Sequence, residues 1–223
     1  MGEAGLALKA DDGRNPYAKN PLYADKTMYM LCRCGIFDGD TPVPYEDSAM
    51  AGDAETYNQF QRSWTPYEGE LDDDVSANAM AALLEKMGPS ILVTHSQGGG
   101  PGWETVRYTP HVAAIVAIEP GGAAAPGSAA YKAMAEQKIP VTFYYGDYIG
   151  NDLPDIPAAA MWQRMAETAD TFTAAYEKEG LTSTVVHLPK LGIKGNSHFM
   201  FEEANRDEIA ELLEKWLQTY AAK

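Results

Sequence analysis

The sequence predicts an α/β fold, a mostly parallel sheet with helices on both faces. Three observations carry that expectation. Four short runs, 91–94, 112–118, 141–145 and 184–188, are almost wholly apolar or β-branched, the mark of strands buried on both sides. Segments with apolar residues at helical spacing alternate with them, which is the order of a parallel sheet with crossover helices. The chain has 223 residues and is 45% hydrophobic, enough for one core. No internal repeat or low-complexity linker divides it.

Residues 1–74 are of different character, rich in Asp, Gly, Pro, Asn and Tyr, and read as an atypical leader and lid-like region. Residues 75–223 read as the core of the same single domain. In the leader the one strand-like run is Thr27–Cys32. A helical patch follows around Ala54 to Trp64, where Tyr57, Phe60 and Trp64 share a face. Glu68 to Asp74 reads as a solvated loop. Ser76 is the expected N-cap of a helix through Met80, Leu84 and Met87, which Gly88 and Pro89 close. The strand Ile91–Thr94 runs into glycines and then a helical segment holding Trp103, Val106 and Tyr108, stopped by Pro110. Strands Val112–Ile118, Val141–Tyr145 and Thr184–Leu188 follow. Helices at about 128–137, 158–179 and 202–221 are expected between and after them, with right-handed crossovers.

Lys and Arg number 17 against 32 Asp and Glu, a formal charge of −15. That field repels phosphate, so neither nucleic acid nor an anionic membrane is the expected partner. No stretch reaches the roughly 18 apolar residues of a membrane helix. The start, Met1-Gly2-Glu3, lacks the basic-then-apolar order of a signal peptide, so a soluble chain is expected. Two cysteines, Cys32 and Cys34, are too few for a disulfide framework or a structural zinc site. They are expected as ordinary thiols on one strand face. No metal or cofactor is implied.

The most informative segment is Ile91-Leu92-Val93-Thr94-His95-Ser96-Gln97-Gly98-Gly99-Gly100. A buried strand runs into a serine, then glycines, then a helix. Such a turn exposes the Ser96 hydroxyl and sets the Gln97 amide at the helix start, where negative charge is stabilised. No Lys follows the glycines as a phosphate-binding loop requires, and the dinucleotide-binding spacing is absent. A serine needs a base. Of four histidines, His95 lies on the turn itself, His111 opens a strand at the wrong end, and His187 lies inside a strand. His198 follows the last strand in Gly195-Asn196-Ser197-His198, where a base belongs. Two acids end strands, Glu119 before Pro120-Gly121-Gly122 and Asp147 after Gly146; the residues alone leave both open.

The serine turn resembles the nucleophile elbow, Gly-x-Ser-x-Gly, of the α/β-hydrolase family. Thr94 stands in place of the first glycine. Together with Ile118-Glu119-Pro120-Gly121-Gly122 and Gly195-Asn196-Ser197-His198, it resembles a bacterial and fungal esterase group of that family, over about residues 54–220. The resemblance implies Ser96 as nucleophile, Glu119 as acid, His198 as base and the Gln97 amide as an oxyanion donor, acting on a small-molecule ester without cofactor. Trp64, Tyr67, Trp103, Trp162 and Met200 are candidates to line an acyl pocket, although ordinary core is the simpler reading of each.

The same resemblance implies strands before the elbow, and a His-Gly type loop carrying a second oxyanion amide. Residues 1–74 show neither, so the sheet is expected to lack early strands. Cys34-Gly35 is the one candidate for the missing amide. An open sheet edge invites self-association. The rival reading is a non-catalytic hydrolase-like binding or assembly protein with an incomplete oxyanion site.

Overall fold

The computed structural model describes residues 25–50, 53–62 and 72–220. Trp64, Tyr67 and most of the acidic stretch lie outside the described residues. Four strands make a parallel sheet in chain order: β3 (Ser90–His95), β4 (Val112–Ile118), β5 (Val141–Tyr145) and β6 (Ser183–His187). A separate antiparallel hairpin joins β1 (Gly35–Asp38) and β2 (Thr41–Pro44). The helices are α1 (Asp25–Leu31), α2 (Ala54–Arg62), α3 (Asp73–Met87), α4 (Gly99–Thr105), α5 (Ala129–Gln137), α6 (Ala159–Lys178) and α7 (Arg206–Tyr220).

Strands laid down in sequence with crossovers of one hand put every crossover helix on the same face. Accordingly Trp103 of α4, Met134 of α5 and Phe172 of α6 share one core with Leu92, Ile115, Val141 and Phe143. Ile209 and Trp216 of α7 cover the other face with Ala114, Val116 and Tyr144. Strands β4 and β5 are therefore buried almost throughout. β3 is not: Leu92 is buried, but Ile91 and Val93 are 38% and 58% exposed. Among the described residues no strand pairs with its outer side.

Several local expectations are corrected. Thr27–Cys32 is not a strand, since residues up to Leu31 form α1. A short apolar run does not distinguish a strand from a buried helical turn. The helix closes with the amide of Arg33 on the carbonyl of Met30 and that of Cys34 on Tyr29, a paired C-terminal lock with Arg33 at φ 58°. Cys32 and Cys34 are thus buried free thiols in a helix-terminal turn rather than on a strand face. Ser76 is inside α3; Asp72 caps it by accepting from the Val75 amide at 3.0 Å. His187 lies in a strand as expected, as the last residue of β6.

Candidate active site

The site forms at the carboxyl ends of β3, β4 and β5. β3 passes into a tight 3-10 turn, Ser96–Gly98, that feeds α4. Ser96 has φ 54°, a left-handed backbone costly for a side chain. The glycines allow the packing: a Cβ on Gly99 would lie 3.0 Å from the Pro120 Cβ. Thr94, bulkier than the family's glycine, fits because α4 gives way at Gly102, where a Cβ would come 2.8 Å from Thr94 Cγ2. Gln97 lies in the same turn, exposed.

Glu119 directly follows β4, with its amide on the Tyr144 carbonyl at 2.9 Å and φ 47°. Its side chain is wholly buried. Oε1 accepts from Arg33 Nη2 at 2.7 Å and from the Gly146 amide at 2.6 Å. Oε2 lies 3.3 Å from His198 Nδ1. Burial disfavours the charged carboxylate, but Arg33, His198 and the Gly146 amide outweigh it and hold the group below its ordinary range.

His198 is 4% exposed and is fixed through its loop. Its amide donates to the Cys32 carbonyl at 3.0 Å. The Ser197 amide and the Asn196 side chain both donate to Glu203, a second buried acid. Burial pushes the His198 imidazolium down, against the pull of Glu119, and Arg33 adds to the push. That direction favours the neutral imidazole. Its carboxylate neighbour favours hydrogen on Nδ1 and a free lone pair on Nε2. His95 packs its ring 4.4 Å from that of His198, and its Nε2 meets the His198 carbonyl at 2.9 Å. This fits its expected packing role.

The structure thus brings Glu119 and His198 into contact. Ser96 stands beside them: His95 precedes it, and its carbonyl accepts the Gly121 amide at 3.3 Å. Among the described residues no hydrogen bond joins the Ser96 hydroxyl to His198. Asp147, the rival acid, turns elsewhere. Its Oδ1 accepts the Tyr148 amide at 2.8 Å and its Oδ2 the Gly195 amide at 3.1 Å.

Within the Cys34-Gly35 pair, the amide of Cys34 is taken by the Tyr29 carbonyl at 3.0 Å, so Cys34 is no spare oxyanion donor. Trp103 and Met200 are core residues, one on each side of the sheet. Trp162 lies with its ring 4.4 Å from that of His198 and beneath the Arg33 guanidinium, 4.7 Å away. Burial raises the Cys32 thiol to about 12 and holds the Cys34 thiol well above its ordinary value, which disfavours the reactive thiolate at both. Sequence reasoning missed Arg33 and Glu203. The signal for Arg33 was a charge between two cysteines at the end of an apolar run.

No protein-family model matches the chain. It is similar to a protein described as a probable secreted lipase, phiG, from Fungal sp. (strain ATCC 74256), at 28% identity over 212 residues, covering 73% of this chain and 56% of that protein. It is also similar to a solved structure described as the atomic resolution structure of a novel bacterial esterase. The TM-score is 0.77 and the identity 23%, covering 95% of this chain and 63% of that one. The fold is therefore α/β-hydrolase-like. The chain spans 56% and 63% of the lengths of these two relatives.

Proposed function

We propose that this chain, α/β-hydrolase-like in fold and similar to a lipase and an esterase, is a serine hydrolase of carboxylic esters with Ser96, Glu119 and His198 as its triad. The observation that carries the reading is the buried contact of His198 Nδ1 with Glu119 Oε2 at 3.3 Å, beside the strained serine turn. Ser96 Oγ attacks the acyl carbon while His198 Nε2 takes its proton. The tetrahedral oxyanion forms next to the Gln97 amide and the start of α4. Collapse breaks the ester C–O bond, and the His198 proton goes to the leaving alkoxide. Water, deprotonated by His198, then releases the acid and restores Ser96. Glu119 holds the imidazole and balances its transient charge. Serine–histidine contacts are often loose without substrate and tighten when it binds.

One observation favours a second reading, binding without catalysis. The Cys34 amide is occupied, and losing one oxyanion donor costs about 2.7–4 kcal/mol of transition-state stabilisation. Fluorophosphonate labelling separates the two. Stoichiometric labelling of Ser96, abolished in Ser96→Ala, is expected for the hydrolase. A folded protein that takes no label belongs to the second reading. Short p-nitrophenyl esters, lactones and anilides then identify the bond cleaved.

A further inference from the structure

We propose that Arg33 is a positioning residue for this reaction: it keeps Glu119 ionised and turned toward His198, and so sets the lowest pH at which His198 serves as a base. The inference rests on the triad proposed above. Glu119 has two oxygens with separate duties. Arg33 Nη2 and the Gly146 amide clamp Oε1, which leaves Oε2 facing His198 Nδ1. Arg33 is itself held. Its Nε donates to the Asp147 carbonyl at 2.9 Å, and its guanidinium lies over Trp162. Both side chains of the ion pair are wholly buried. A helix end in the left-handed conformation ordinarily takes glycine. Here that position, φ 58°, carries an arginine whose head reaches a partner 86 residues away. Its Nη1 is buried and has no hydrogen-bond partner among the described residues, so the head is placed by its Nε and Nη2 bonds and by Trp162.

The electrostatic sense follows from the neighbours. The other titratable groups around the pair are His95, Cys32, Cys34, Tyr45, Tyr145, His187, Glu203 and the Asp147 carboxylate, which faces Gly195 and Tyr148. Burial lowers both of these histidines and so favours their neutral forms. Arg33 is then the fixed cation beside Glu119 among the described residues. Without it the carboxylate binds a proton more readily. If Glu119 instead stays ionised, His198 does so. Either way the acidic limb of kcat/KM moves to higher pH.

The test begins by establishing Ser96 labelling and ester turnover in the wild type; failure there sinks the hydrolase reading. With turnover established, Arg33→Met is expected to raise the acidic limb by about one pH unit or more. It should also lower kcat about 10²-fold with little change in KM. Arg33→Lys should return the limb toward its wild-type position while kcat stays reduced. If Arg33→Met does not fold, the comparison is Glu119→Gln against Arg33→Met/Glu119→Gln, which buries no lone charge. Equal kcat in those two shows that Arg33 acts through Glu119. An unmoved acidic limb in a folded Arg33→Met protein overturns the proposal, as does a further loss of about tenfold or more in the double variant.

Discussion

Glu119 and Asp147 make a direct test of the site at the level of single side chains, because the two acids end neighbouring strands and touch different things. Glu119→Gln keeps the shape but not the charge that balances a cationic His198. Turnover of a short p-nitrophenyl ester near neutral pH should fall about 10³-fold or more. Asp147→Asn loses one of two acceptors that tie Tyr148 and Gly195, so its turnover should stay within about tenfold. The reverse ranking would reassign the acid. Histidines also set the pH dependence of stability. Burial, with repulsion from His198, lowers His95 to about 4. Between about 6.5 and about 4 the unfolded chain binds a proton that the native state refuses, so stability falls as pH falls through that window. His198, also lowered, acts in the same sense. The Glu119 term is lost at still lower pH, as the medium falls through its depressed folded value. Urea titrations from neutral pH to about 4 should show the decline, and His95→Gln should flatten its slope. An unchanged slope in His95→Gln would remove His95 from the account.

At the level of elements, the elbow shows how a departure from a motif is absorbed. Thr94 occupies the place of a glycine, and Gly102 one turn into α4 supplies the missing space. Gly102→Ala should therefore destabilise by about 1–3 kcal/mol in spite of the better helix propensity of alanine. Thr94→Gly/Gly102→Ala should be less destabilised than the two single costs summed, and chemical denaturation of the four proteins measures that coupling. Additive costs would mean that the two sites do not communicate. The elements that carry Ser96, Glu119 and His198 were legible because each breaks a buried strand or a glycine loop with its own local signature. Arg33 was not. Its partner is distant in sequence, and the run before it, Thr27–Cys32, gives no periodic cue to helix over strand. The hairpin β1–β2 escaped for a related reason, since its strands are four residues each.

Across the whole molecule the parallel sheet and its two cores followed from patterning, because β4 and β5 are covered on both faces and have no polar alternation to confuse them. The half-covered β3 also read as fully buried, and here the pattern misled. Ile91 and Val93 are exposed on the face where α7 covers β4 and not β3. The loop of His198 is fastened to two segments distant in sequence: its amide rests on Cys32, near the start of the described residues, and its acid neighbour Glu203 lies just before α7.

That double fastening has a consequence in time. The sheet can pair strand by strand in chain order, and helices need only near neighbours to form. The imidazole finds its seat only when the segment of Cys32 and the segment of Glu203 have closed on one another. Regain of ester turnover from denaturant should therefore trail the far-ultraviolet circular dichroism signal by a resolvable phase, and a shared single exponential would show that the closure belongs to the main folding event.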